Sequence, residues 1–260
     1  MLGIVNLQKV KQLLDSRLDA YLAPEFIQHD PVQIPHLFRN KEDIEIAGLL
    51  AATISWGQRK SIIMGAKRII SLMDGAPFDF VQNHTPADLR RLQGFVYRTF
   101  NGNDLVAFIG QLQGIYHHSG GLEVVFSSGF MRGGIVGALS EFRAKMLVGI
   151  GDSHMSKHVA NVDKGSACKR LNMFLRWMVR SDASGVDFGL WNQIPASALA
   201  IPLDVNTALA SRMLGLLSRK QNDWRAVVEL TEQLQKIDPI DPIKYDFALF
   251  SIGQSKDYPL

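Results

Sequence analysis

The sequence predicts an all-α protein, and three observations carry that reading. Apolar residues recur at helical spacing through most of the 260 residues, and period-two alternation is nearly absent. Proline, glycine and N-cap residue types punctuate the apolar stretches at intervals suited to helices. At most a short hairpin is expected, near Phe95–Phe100.

In chain order, Leu7, Val10, Leu14, Leu18 and Leu22 predict a first amphipathic helix from Val5 to about Leu22, ended by Pro24. Asp30-Pro31-Val32-Gln33-Ile34-Pro35 reads as a proline-braced extended connector. From Asp43 to about Met73 helix formers dominate, and Ile44–Ile54 is apolar on nearly every side, which predicts a buried central helix. A break at Trp56-Gly57 precedes a helix over Ser61–Met73. Thr85 caps a short helix over Pro86–Leu92, and Asn103 or Asp104 caps one running to about Tyr116. The Gly- and Ser-rich Gly120–Gly134 reads as a loop, followed by a helix over Ile135–Leu147, and the polar Gly149–Ser166 as a surface loop. Leu171, Phe174, Leu175 and Met178 predict a helix over Lys169–Arg180; Asp223–Lys236 and Tyr245–Ile252 supply the last two. The organisation expected is one all-helical unit, with lobes at about 43–160 and at 1–42 plus 161–260.

The chain is organised around Ile201-Pro202-Leu203-Asp204-Val205-Asn206-Thr207. Pro202 disfavours helix at Ile201, while Asp204, Asn206 and Thr207 are all good N-cap types. Leu209, Met213, Leu214 and Leu217 then predict an amphipathic helix over Ala208–Leu217. Asp204 is therefore read either as a cap or as a reactive carboxylate held at a positive helix end.

Composition narrows the class. Apolar residues make up 47% and charged residues 20%, which suits a globular chain. A net charge of +3 and a pI near 9.0 permit a nucleic-acid partner without demanding one. Cys168 is the one cysteine, so neither an intramolecular disulfide nor a cysteine-built zinc or iron–sulfur site is expected; a buried structural thiol is. The N-terminus has no signal-like core and no apolar run reaches spanning length, so a cytoplasmic protein without a membrane partner is expected.

Among the histidines, His154 and His158 stand four residues apart, but with no carboxylate between them no metal site is expected, nor any cofactor. Asp238, Asp241 and Asp246 read, through the two Asp-Pro pairs, as a turn followed by a capped helix rather than as ligands. Basic residues cluster at Trp56-Gly57-Gln58-Arg59-Lys60 and along Lys169, Arg170, Arg176 and Arg180. A tryptophan, a glutamine and two cations at a helix junction suit a loop that probes a duplex.

The run Asp43–Met73, the helix Lys169–Arg180, the segment around Asp204 and Tyr245–Gly253 resemble an uncharacterised bacterial family of unknown function over most of the chain. More distantly, their order and spacing resemble the helix-hairpin-helix DNA glycosylases. That resemblance implies two helical halves around a cleft, with a degenerate hairpin. It implies Asp204 as the essential aspartate and Gln58 near the probing position, with Arg59, Lys60, Arg170 and Arg176 on nucleic acid. Trp56, Asn206 and Asp246 would line the pocket. Three departures accompany it. Trp191–Leu199 lacks the Leu-Pro-Gly-x-Gly hairpin, Asn206 stands where a histidine is usual, and Gly185-Val186 occupies the usual lysine position. One subgroup, the archaeal glycosylases for oxidised guanine, carries its lysine on an earlier helix, which would give that role to Lys169, 35 residues before Asp204, or to a neighbour.

The function implied is a DNA N-glycosylase acting on a duplex with a damaged base, with strand cleavage if Lys169 forms a Schiff base. The alternatives are a helical nucleic-acid-binding module without catalysis and a small-molecule enzyme using the same pocket.

Overall fold

The computed structural model describes residues 6–21, 25–151, 153–181 and 184–255. Val5, Leu22 and Pro24, which bound the first predicted helix, lie outside the described residues. The chain divides into two compact units, one of residues 27–161 and one of residues 1–26 with 162–260. The described residues are mostly helical, as the apolar spacing predicts.

Helix α1 (Leu7–Tyr21) opens the split unit and buries Val10, Leu14 and Leu18. A short α2 (Glu25–His29) follows, and Phe26 meets the ring of Phe247 edge-on at 5.0 Å.

The continuous unit begins within α2 and goes on with two 3-10 turns, Pro31–Gln33 and Pro35–Leu37, in place of the extended connector the prolines predict. Proline at the first position of each turn fixes φ for a helical start, and Asp30 caps the first by accepting Val32 N–H. Helix α3 (Lys41–Thr53) is buried at every position from Ile44 to Thr53, as its all-round apolar character requires. Helices α4 (Arg59–Leu72), α5 (Pro77–Asn83) and α6 (Pro86–Leu92) follow, α6 with a Thr85–Asp88 capping box. The predicted hairpin is β1 (Val96–Tyr97) paired antiparallel with β2 (Phe100–Asn101). Helix α7 (Gly102–His118) is capped by Asn101 rather than by Asn103 or Asp104; Asp104 supplies the reciprocal side of the box.

Helix α8 (Leu122–Met146) corrects the expected loop over Gly120–Gly134. Leu122, Val125, Phe126 and Gly129 are buried at helical spacing, so the stretch is amphipathic despite its glycines. It breaks at Gly133 and Gly134, both far from helical geometry. A Cβ on Gly137 would lie 2.3 Å from the Gly129 carbonyl oxygen. Eight residues of straight helix would separate them by about 12 Å, so the halves fold back and pack backbone to backbone. Among the described residues α8 alone is long and apolar enough by composition to cross a membrane. Its break leaves each half short of the about 20 residues a span needs. The presumed surface loop over Gly149–Ser166 also differs: a 3-10 segment, His154–His158, buries Met155, Ser156 and His158.

The split unit resumes with α9 (Lys169–Val179), whose residues from Leu171 onward are all buried. Cys168 is buried at its start, as expected of a structural thiol. The segment after α9 bonds back to its last turn, Phe188 N–H to Trp177 oxygen at 2.7 Å and Trp191 N–H to Met178 oxygen at 3.0 Å. Between α9 and the next helix, the described residues hold an isolated antiparallel bridge, Ser181 with Phe188, and a 3-10 turn, Ala196–Ala198.

Helix α10 (Val205–Met213) ends earlier than predicted, with Gly215 at positive φ and Leu216 N–H bonded to Ser211 oxygen. Its buried face is Thr207, Ala208, Ala210 and Ser211, whereas Leu209 is exposed. Small residues are there because α12 (Asp246–Ser255) crosses very close; a Cβ on Gly253 would lie 2.1 Å from the Asn206 carbonyl oxygen. Between them run α11 (Trp224–Ile237), capped by Asp223, and a 3-10 turn over Pro242–Tyr245. The Tyr245 hydroxyl donates to Asp15 of α1 at 2.9 Å.

Candidate active site

The split unit assembles its polar residues where α9, α10 and α12 meet. Asp204 is the N-cap of α10, and its Oδ1 accepts the Thr207 backbone N–H at 2.9 Å. Both readings of Asp204 thus share one geometry, a half-buried carboxylate capping a helix at the end that favours negative charge. The Thr207 hydroxyl, fully buried, lies 3.4 Å from Asp246 Oδ1.

Asp246 begins α12 and is buried. Its Oδ2 accepts from Arg176, whose Nε in turn reaches Asp187 Oδ1 at 3.3 Å. Arg180, one turn on, bonds Asp187 at 2.8 Å and both oxygens of Asp241 at 2.9 Å. Burial pushes the Asp246 carboxyl up to about 6; Arg176 and Lys169 pull it down, while Asp204 and Asp187 push it further up. Lys169 and Asp204 thus both act on Asp246 through their charges. Lys169 is half-buried at the first position of α9, its Nζ 3.4 Å from Met173 Sδ.

This network corrects two expectations. Arg176 is 3% exposed and committed to Asp187 and Asp246, so it does not lie on a solvated face ready for phosphate. Of the three late acids, Asp238 does make the expected turn, accepting Ile240 and Asp241 N–H at 3.0 Å each. Asp241 and Asp246 instead hold arginines. The sequence does not point to Asp187 or to the Thr207 hydroxyl, although Arg176 and Arg180 within the apolar run Met173–Arg180 are a signal that buried carboxylates must face them. Arg170 is half-buried, and burial lowers its pKa. Asn206 is half-buried in the first turn of α10, its carbonyl against Gly253.

In the continuous unit, Gln58 and Lys60 are exposed at the start of α4, and Arg59 lies 3.7 Å from Asp30. Gly57 has φ of 104°, and a Cβ on it would meet the Arg98 guanidinium at 2.3 Å, so this turn requires glycine. Trp56 is fixed from three sides. Its carbonyl accepts from the Tyr97 hydroxyl at 2.7 Å, its ring meets that of Tyr97 edge-on, and it stacks on His158 at 5.9 Å. His158 in turn approaches Asp104 together with His154. A carboxylate thus joins the two histidines after all, from 50 residues upstream rather than between them. That removes the reason for expecting no metal site there.

Residues 30–255 match the model of a family described as protein of unknown function. No curated protein and no solved structure matches the chain.

Proposed function

The chain belongs to the DUF2400 family, and we propose that it is a DNA N-glycosylase that releases a damaged base from a duplex. The observation that supports this reading is the link from Asp204 through Thr207 to the buried Asp246, a carboxyl that also feels the charge of Lys169. An amine and a carboxylate at a helix N-terminus, backed by a second, desolvated carboxyl, are the groups that substitution at a glycosidic carbon needs. The order of the segments along the chain, similar to that of helix-hairpin-helix glycosylases, supports the same reading by analogy.

In this proposal the target nucleotide leaves the stack at a cost of about a few kcal/mol. Asp204 stabilises positive charge on the sugar as the bond to the base lengthens. The Lys169 amine attacks the sugar C1′, and the electron pair of the broken bond leaves with the base, which takes up a proton. Asp204 passes one proton from the nitrogen to the ring oxygen O4′ as the C1′–O4′ bond breaks with its electron pair going to oxygen, which opens the sugar ring and leaves a protonated imine. Asp246 is a positioning residue, linked to Asp204 through Thr207. Gln58 and Lys60, exposed at the α3–α4 junction, are assigned to the duplex.

The test is incubation with duplexes carrying single lesions (oxidised guanine, uracil, hypoxanthine, alkylated adenine), with borohydride trapping. Base release that disappears in Asp204→Asn is expected, together with a trapped adduct lost in Lys169→Gln. A second reading, a nucleic-acid-binding module without chemistry, is favoured by the engagement of Asp204 as a cap. Salt-sensitive duplex binding without release would select it, and absence of both would sink both readings.

A further inference from the structure

We propose that Asp104, His154 and His158 bind a divalent transition-metal ion of the zinc class, with one coordination position left open to solvent. One donor atom from each residue lies within 4.8 Å of the other two. His154 Nδ1 and His158 Nε2 lie 2.9 Å and 3.5 Å from the same carboxylate oxygen, Asp104 Oδ2. Ligands at about 2.0–2.2 Å from one ion stand about 3 to 3.5 Å apart, so two of the three separations already match. The His154 side chain is 47% exposed and turns on the surface to bring in the third donor, whereas Asp104 and His158 are buried.

The surroundings hold the two buried donors in place, as outer partners do at metal sites. Asp104 Oδ2 accepts the Asn101 N–H at 2.9 Å through the α7 capping box. The His158 ring lies between Trp56, stacked on it, and Phe100, edge-on at 4.9 Å. Two imidazoles and one carboxylate are borderline-soft ligands that suit zinc and its neighbours, and are poorly matched to magnesium or calcium, which prefer oxygen. Three protein ligands leave a fourth position open in a tetrahedral site, and the half-exposed His154 puts the cluster within reach of solvent. The ion would tie the start of α7 to the 3-10 segment and, through Trp56, brace the turn before Gln58. This site is independent of the glycosylase reading.

The experiment is titration of chelator-stripped full-length protein with zinc by calorimetry, and with cobalt by visible absorption. Magnesium is the control ion. Saturable uptake of one zinc per chain is expected, with cobalt bands characteristic of a low-coordinate nitrogen and oxygen site. His154→Ala removes a half-exposed ring, so it folds, and it should weaken zinc by about 100-fold or more. Asp104→Asn keeps an acceptor for the Asn101 N–H and should weaken zinc similarly, with circular dichroism confirming both folds. Absence of saturable zinc uptake would overturn the proposal. So would uptake undiminished in both variants, or equal affinity for magnesium.

Discussion

Thr207 stands between Asp204 and Asp246, giving its backbone N–H to the first and its buried hydroxyl to the second. A half-buried carboxylate and a buried one are thereby held in fixed relation by the first turn of α10, and α12 is pressed against that turn at Gly253.

Asp204 serves the helix and the proposed chemistry with the same atoms, and two substitutions separate those roles. Asparagine is as good an N-cap as aspartate, so Asp204→Asn should change stability by no more than about 0.5 kcal/mol while abolishing base release. Asp204→Ala should lose the release and also about 1 kcal/mol of stability. Urea denaturation beside the lesion assay checks both; a stable but fully active Asp204→Asn would rule out the carboxylate's charge as an agent.

Arg176 neutralises two buried acids. Arg176→Met keeps the volume but leaves Asp187 and Asp246 without their shared cation, which should cost about 3–5 kcal/mol. Adding Asp187→Asn and Asp246→Asn to the same chain should recover part of that loss. Chemical denaturation of the three chains measures it, and a loss below about 1 kcal/mol would mean the pair behaves like one at the surface.

The Asp246 carboxyl sits at about 6 in the folded protein against an ordinary 3.8. The folded state therefore holds this proton more tightly than the unfolded chain does. Its contribution to stability falls as pH rises from about 4 to about 6 and is constant above, a change of about 3 kcal/mol. Asp246→Asn removes the titration, so wild-type stability relative to this variant should be lower at about pH 7 than at about pH 4.5. A difference that stays flat across that interval would show that burial does not penalise the charge.

Gly253 has no room for a methyl group, because the obstacle is the Asn206 carbonyl and not a movable side chain. Gly253→Ala should destabilise by about 1–3 kcal/mol through displacement of α12 from α10. It should also lower base release beyond the loss of folded protein, because Asp246 moves with α12. Gly110→Ala, a mid-α7 site with nothing within 4 Å of the added carbon, should instead stabilise by about 0.5–1 kcal/mol. Thermal melts of the pair make the comparison.

Helix positions were legible where one face is apolar and a strong cap or proline bounds it. Ile44–Ile54, Pro86–Leu92 and Lys169–Arg180 are close to the observed α3, α6 and α9 for that reason. Gly120–Gly134 was misread because glycine signals both a loop and a close helix crossing, and only the return of Gly137 onto Gly129 distinguishes them. The buried face of α10 was misassigned for a related reason. Its large residues point outward because α12 comes too near to admit them.

A mostly helical chain, a carboxylate at the head of α10 and a lone thiol follow from the residues alone, since local spacing and capping chemistry are short-range properties. Tertiary structure decided which charges are buried and which residues meet. Arg176 and Arg180 left the solvent only because Asp187, Asp241 and Asp246 arrive from distant positions to neutralise them. Asp104 reached His154 across 50 residues in the same way. A charge can be buried only beside a partner, and no local pattern names a partner that the fold supplies from elsewhere.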